Sequence, residues 1–265
     1  MGGFLLVNPR AGAARATPAE VAEAAAARGI DVHVLRERDD AVAIARDAPA
    51  DTLGIAGGDG SLAPIAAVAL ARDLPFVCVP LGTRNHFARD LGLDRDDPLG
   101  ALDAFSGRER TIDVGFAGER PFLNNVSIGL YARLVHGREH HRRRRDTLAL
   151  ARAALLVLRE RHAPVLSVDG KPIEAPVVLV ANNAYGLELL SIGERERLDG
   201  GLLHLYAPTG LARREWRERS GEHFVVGADR PVLDAAVDGE PEELATPIAL
   251  RIEPRALRVL VPPGR

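Results

Sequence analysis

Strand-like and helix-like segments alternate over residues 4–92, at a spacing that leaves room for little except strand–helix–strand units. FLLV (4–7) is a short apolar run that ends in Asn-Pro. TPAEVAEAAAARG (17–29) then opens with Thr17 as N-cap, Pro18 in the first turn and Glu20 completing a capping box, and Gly29 stops the helix. DVHVL (31–35), TLGIA (52–56) and PFVCV (75–79) read as strands. DAVAIARDA (40–48), SLAPIAAVALARD (61–73) and NHFARDLG (85–92) read as helices. This order predicts a parallel sheet covered on both faces.

The pattern changes after about residue 106. TIDVGFAGERPFLNNVSIGL predicts two strands joined by an Ala-Gly-Glu-Arg turn, and VLSVDGKPIEAPVVLVANNA predicts two more around Asp169-Gly170. Further strands are expected at LLHLYA, HFVVG, VLDAAV, PIALRI and LRVLVP, with one helix near 147–162. The expected fold is therefore an α/β nucleotide-binding domain over 1–106 followed by a β-sandwich-like domain over 107–265, whose last strand has the option of returning to the first.

With 46% hydrophobic residues in 265, a sizeable core is available. No apolar run approaches the roughly 20 residues of a membrane span, and the N-terminus lacks a signal-peptide pattern, so a cytoplasmic protein is expected. The net charge of -3 speaks against a nucleic-acid partner. Lys171 is the sole lysine, so cationic phosphate ligands elsewhere must be Arg or His. Cys78, the single cysteine, sits in an apolar strand pattern and is assigned to packing.

In an open parallel sheet, ligands bind beyond the carboxyl ends of the strands. Three loops at such ends draw attention: Asn8-Pro9-Arg10-Ala11-Gly12, Gly57-Gly58-Asp59-Gly60-Ser61 and Pro80-Leu81-Gly82-Thr83-Arg84-Asn85. Glycines admit a phosphate close to backbone N–H groups, and a following helix N-terminus favours an anion. Ser61 and Thr83 offer hydroxyls, and Arg10, Arg15 and Arg84 offer positive charge. The competing reading is a set of tight turns with no ligand. Asp59 would repel phosphate unless Mg²⁺ intervened, or else it caps a helix.

NPRAG, GGDGS and PLGTRNHFARDLGL, in this order, resemble the diacylglycerol kinase catalytic-domain family, which includes bacterial diacylglycerol kinases and sphingosine kinases. The resemblance implies ATP held between two domains by Asn8, Pro9, Gly12, Arg15, Gly57, Gly58, Gly60, Ser61, Gly82, Thr83 and Asn85, with Mg²⁺ as cofactor and a lipid alcohol as substrate. It also implies that Asp238, in LDAAVDGEPEEL, is the general base, with Glu240 supporting it and Asp59 acting through metal or water. Turn statistics alone make Asp238-Gly239 a hairpin turn.

The chain departs from the family pattern at three acidic positions. His86 and Tyr131 stand where carboxylates are usual, and Leu198-Asp199-Gly200-Gly201-Leu202 lacks the second aspartate of a structural Mg²⁺ loop, leaving Asp199 and the Leu202 carbonyl. The basic stretch 138–145 is either a solvated face or a dock for an anionic membrane surface. The expectation is an ATP-dependent lipid kinase acting on diacylglycerol or a similar alcohol, with peripheral membrane contact and homodimerisation as options. An NAD kinase-like enzyme and a non-catalytic nucleotide- or lipid-binding protein are the rivals.

Overall fold

A computed structural model describes residues 2–11, 15–83, 85–129, 164–175, 177–188, 191–192, 194–208 and 216–263. Gly12, Arg84, Tyr131, the basic stretch 138–145 and the helix expected near 147–162 lie outside the described residues. The chain forms two compact units. Unit 1 holds residues 1–114, 185–201 and 253–265, and unit 2 holds 115–184 and 202–252.

Unit 1 is the α/β half. Strands β1 (Gly3–Val7), β2 (Asp31–Val34), β3 (Thr52–Gly57) and β4 (Phe76–Pro80) pair in parallel in the order β2-β1-β3-β4. Between them run α1 (Pro18–Ala27), α2 (Ala41–Asp47) and α3 (Asp59–Ala71). Three short pieces follow: α4 (His86–Asp90), α5 (Pro98–Ala101) and a 3₁₀ turn over Leu102–Ser106. The capping box at α1 is formed: Thr17 N–H donates to Glu20 at 2.7 Å, and Glu20 N–H donates back to Thr17 Oγ1 at 3.2 Å.

Alternation along the strands gives the sheet two buried faces. Leu5, Val7, Ala56, Val77 and Val79 pack with Val21 and Ala25 of α1 on one of them. Leu6, Ile55 and Cys78 are register neighbours with the intervening parity, and all three are buried. Burial pushes the Cys78 thiol far above its ordinary pKa, which leaves it a packing group rather than a nucleophile.

The segment 185–201 is bound into unit 1 by charge. Arg195 Nε meets Asp90 Oδ2 at 2.7 Å with both side chains fully buried, and Arg89 reaches the other oxygen of Asp90 at 3.0 Å. The Arg195 guanidinium also lies over Tyr185, 5.4 Å from the ring centre. Removing one partner of such a buried pair typically costs about 3–5 kcal/mol, so the segment is firmly fixed against α4.

Unit 2 is all β. β5 (Arg108–Ala117) hands its end to this unit and turns into β6 (Arg120–Phe122). β7 (Asn125–Gly129), β8 (Leu166–Val168), β9 (Lys171–Ile173) and β10 (Val177–Asn182) follow. After β11 (Leu187–Glu188) and β12 (Ser191–Ile192), which pair in unit 1, come β13 (Leu203–Pro208), β14 (Trp216–Gly221), β15 (His223–Ala228), β16 (Val232–Val237) and β17 (Glu240–Ala245). β18 (Ile248–Val261) gives its residues through Ile252 to unit 2 and the rest to unit 1. An antiparallel sheet of order β14-β13-β10-β7-β16-β17 and a second set in which β18, β15, β8 and β9 pair in turn share one core. Phe122, Val126, Val180, Leu205 and Val237 meet Leu166, Phe224, Val226 and Leu250 there, giving the β-sandwich architecture.

Three strand expectations need correction. The turn after β5 is Gly118-Glu119, because Ala117 pairs with Arg120, and a third strand, β7, follows separately. PIALRI and LRVLVP are one strand, β18, rather than two. Arg255 adopts φ 53° within it, and its N–H is held by Asp113 Oδ1 at 2.8 Å, so the strand is kinked without ending. β14 and β17 were not expected, because WRERSG and EPEELA carry few apolar residues; both are the outermost strands of their sheet, where polar side chains belong.

Candidate functional site

The register of unit 1 aligns Val7 with Ala56 and Ala56 with Val79, so the loops after β1, β3 and β4 leave the sheet side by side. β1 and β3 are also where the strand order reverses, since the chain goes from β1 outward to β2 and then returns to β3. That reversal is the usual ligand crevice of an open α/β sheet. Asn8 sits at it: its N–H continues the ladder to Ala56 O at 2.9 Å, and its Nδ2 reaches across to Ser61 Oγ at 2.9 Å. Asn8 Oδ1 accepts from Arg10 N–H at 3.0 Å, which shapes the start of the Pro9-Arg10 turn.

Sequence reading put GGDGS in a loop and started the helix at Ser61. The structure starts α3 two residues earlier, at Asp59, with Gly58 as the N-cap in extended conformation. Asp59, Gly60 and Ser61 therefore form the first turn, and α3 has no side-chain cap on its N-terminal N–H groups. Such an end carries unsatisfied donors and a partial positive charge.

The glycines make room first of all for another stretch of backbone. A Cβ placed on Gly82 would lie 2.4 Å from Gly58 Cα, and one on Gly58 would lie 3.3 Å from Gly82 Cα. Two loops thus touch main chain to main chain, an approach no side chain permits. Asn85 completes the second loop. It is buried, has φ 49°, accepts from Gly82 N–H at 2.9 Å and donates to Gly82 O at 2.8 Å.

Asp59 ties the same two loops. Its carboxylate accepts from His86 N–H and Phe87 N–H, both at 3.1 Å. It therefore caps α4 from another element, at a position where Asn85 supplies no side-chain cap of its own. Thr83 and His86 are exposed beside it, and Pro9, Arg10 and Arg15 are exposed on the loop after β1, with Arg10 3.4 Å from Glu37.

The residues considered for a resident Mg²⁺ are engaged by the protein. In unit 1, Asp199 pairs with Arg197 at 3.2 Å, and that side-chain bond holds its carboxyl below the ordinary aspartate range. In unit 2, the Leu202 carbonyl accepts from Asn183 N–H at 3.1 Å. Among the described residues no group of three His, Cys, Asp or Glu side chains gathers as metal ligands would. Asp199 and the Leu202 carbonyl thus each have a protein partner, and a hard cation that takes about six oxygens would need ligands beyond these two.

In unit 2, Asp238-Gly239 is indeed a hairpin turn, closing β16 onto β17 with Val237 opposite Glu240. Both turn residues have positive φ, 50° and 86°, as a type I′ turn requires. The turn is also more than a connection. Asp238 is only 8% exposed, and its carboxylate accepts from the N–H groups of Leu123 (2.8 Å), Asn124 (2.7 Å) and Asn125 (3.1 Å). Three peptide donors fix both oxygens of one carboxylate. Glu240 is half-buried at the start of β17.

Sequence reading missed the asparagines around Asp238. Asn124, Asn182 and Asn183 are 8%, 2% and 2% exposed, and all lie where β7, β10, β13 and β16 have their neighbouring ends. Their signal was available in LNNV and VANNA, where paired asparagines terminate apolar strand runs and must be hydrogen-bonded if buried. Asp113, fully buried in unit 1 and accepting from Gly201 N–H at 2.7 Å, was missed for the same reason.

Residues 3–117 match the family profile of the diacylglycerol kinase catalytic domain. Among curated proteins the chain is similar to a diacylglycerol kinase of Bacillus subtilis, 35% identical over 89 residues that make up 32% of this chain and 29% of that protein. It is also similar to a probable lipid kinase YegS-like of Cronobacter sakazakii, 33% identical over 107 residues covering 38% of this chain and 36% of that one. These alignments thus span about a third of each relative's length. Among solved structures, a diacylglycerol kinase and a putative one from Bacillus anthracis share the fold, with TM-scores of 0.67 and 0.70 at 18% and 21% identity. Each alignment covers 97% of this chain and 96% of the other.

Proposed function

Proceeding from a chain whose residues 3–117 match the diacylglycerol kinase catalytic domain, we propose that it is a lipid kinase that transfers the γ-phosphoryl group of ATP to a hydroxyl of diacylglycerol or a related lipid alcohol. The observation that carries the reading is the interlocked cradle of unit 1, in which Asn8–Ser61, Gly58–Gly82 and Asp59–α4 fix three loops around the uncapped start of α3.

Each part has a role in that reaction. The first-turn N–H groups of α3 bind phosphate oxygens, with Gly57, Gly58, Gly60 and Gly82 keeping side chains out of the way and Ser61 and Thr83 adding hydroxyls. Asn8, Pro9 and Arg15 belong to the loop after β1 at the same sheet edge, Gly12 is assigned to that loop by the sequence alone, and Asn85 holds the Gly82 turn in shape. The nucleotide would be taken as MgATP, whose metal would offset charge on the phosphates. Asp59 holds α4 against the cradle, so that its carboxylate is compensated by peptide N–H groups rather than facing the phosphates unopposed.

Asp238 accepts the proton of the lipid hydroxyl as its oxygen bonds to the γ-phosphorus and ADP leaves. Phosphoryl transfer passes through a loose transition state, so the base must be well placed rather than strong. A carboxylate held by three peptide donors suits that need. It has to reach the hydroxyl within about 2.6–3.2 Å. Glu240 supports it from the next residue but one. Among the described residues no helix is long and apolar enough to cross a membrane, and on this reading the enzyme meets its lipid at a membrane surface, with 138–145 supplying positive charge.

The test is γ-labelled ATP with Mg²⁺, supplied with a total lipid extract in one arm and NAD in the other. Label in a phospholipid whose parent is a lipid alcohol is the expected result. NADP formation, or ATP binding with no labelled lipid, overturns the reading in favour of an NAD kinase-like enzyme or a binding protein.

A further inference from the structure

The loop that grips Asp238 is itself held by the side chain of Asn182, and from this we infer that Asn182 is a positioning residue for phosphoryl transfer, fixing the peptide groups that aim the Asp238 carboxylate. The inference rests on Asp238 being the base.

Leu123 and Asn124 supply two of the three N–H groups on Asp238, yet neither belongs to a strand: β6 ends at Phe122 and β7 begins at Asn125. The β7–β10 register runs one pair further, from Ala181 and Asn125 to Asn182 and Asn124, but stops short of Leu123. Asn182 holds both residues. Its Nδ2 donates to Leu123 O at 3.2 Å, and its backbone N–H donates to Asn124 O at 2.9 Å. The carbonyls of two successive residues are thus anchored to Asn182 while their N–H groups point at the base. A peptide held at both poles cannot rotate without breaking two buried hydrogen bonds.

Asn182 is in turn kept in orientation by Asn183, whose Nδ2 donates to Asn182 Oδ1 at 3.2 Å and whose own N–H is bound to Leu202 O at 3.1 Å. Asn183 adopts φ 69°, a left-handed conformation that asparagine tolerates better than most residues. The strand end of β10 thereby presents both amides inward. Asparagine at 182 is specified by chemistry, because Oδ1 must accept while Nδ2 donates. Aspartate has the same shape but would set a second anionic oxygen against the Leu123 carbonyl.

The experiment compares the full-length wild type with Asn182→Asp, Asn182→Ser and Asp238→Asn. All are assayed with MgATP and diacylglycerol in mixed micelles, and thermal unfolding is measured on each. Both Asn182 variants are expected to lower kcat at least about 10-fold and to leave KM for ATP within about 2-fold. That is the signature of an interaction made in the transition state rather than in nucleotide binding. Wild-type kcat in either folded variant overturns the inference, as does a fall in kcat matched by an equal rise in KM for ATP and a lowered melting temperature. If Asn182→Asp does not fold, Asn182→Ser decides, since it keeps the backbone bond to Asn124. Full activity in Asp238→Asn removes the base and the inference with it. An inactive Asp238→Asn beside wild-type Asn182 variants removes the inference alone.

Discussion

Unit 2 contains two Asp-Gly hairpin turns that are nearly identical as local structure and quite different in what surrounds them. Asp169-Gly170 joins β8 to β9 with φ values of 51° and 74°, and Asp238-Gly239 joins β16 to β17 with 50° and 86°. In each, the aspartate N–H donates to a carbonyl of a neighbouring strand at 2.9 Å, Val225 O in one and Asn125 O in the other. The carboxylates diverge. Asp169 is exposed and shares its oxygens between Val225 N–H at 3.0 Å and Arg219 at 2.8 Å. Asp238 is buried under three peptide N–H groups from a loop that needs its own side-chain support. The turn type is set by two residues; what the carboxylate does is set by partners 50 and 56 positions away for Asp169 and 113 to 115 positions away for Asp238.

The largest expected effect separates the two directly. Asp238→Asn keeps the turn's left-handed preference and shape but loses the proton acceptor, and should reduce lipid phosphorylation by about 10²–10⁴-fold. Asp169→Asn should leave turnover within about 2-fold, because that residue supports only a surface hairpin. Equal losses in steady-state assays of the two variants would show that Asp238 serves the fold and not the reaction.

The contrast also explains how much was legible beforehand. The capping box at Thr17, the alternation of strands and helices in the α/β half and both Asp-Gly turns follow from local sequence, and these emerged as expected. The three-loop cradle was visible as a recurrence of glycines, but its inner logic was not. Nothing local says that Gly58 faces Gly82 backbone to backbone, or that Asp59 caps a helix beginning at His86 rather than the one it opens. The kink at Arg255 depends on Asp113, which is 142 residues distant, and the setting of Asp238 depends on Leu123, 115 residues distant. Pairings at such separations leave no periodicity to read. Family likeness singled out Asp238 from Asp169; physical pattern alone treats them alike.

A smaller effect tests that likeness. Gly170 and Gly239 both have φ near 80°, and a Cβ on either would meet nothing within 4 Å. Alanine at each position should therefore cost the same, about 1 kcal/mol of backbone strain, despite the different burial of the preceding aspartates. Denaturant midpoints of the two variants read this out. A much larger loss for Gly239→Ala would mean that the Asp238 setting leaves no room for the turn to adjust, and the two hairpins are then not equivalent even locally.

The smallest effect concerns the ion pair between Arg219 and Asp169 of the exposed turn. Arg219 and Asp169 have side chains 50% and 35% exposed, and pairs this open typically contribute about 0–1 kcal/mol and fade with salt. Arg219→Gln removes both the charge and the guanidinium that lies 5.5 Å from the Phe224 ring centre, so it should shift stability by no more than about 1 kcal/mol, and by less at high ionic strength. Asp169 would still be held by Val225 N–H, as Asp238 is held by the N–H groups of Leu123, Asn124 and Asn125. If Arg219→Gln instead destabilised the protein as much as removing the Asp169 carboxylate, the exposed turn would depend on its salt bridge. Backbone donors would then cease to be the feature the two turns share.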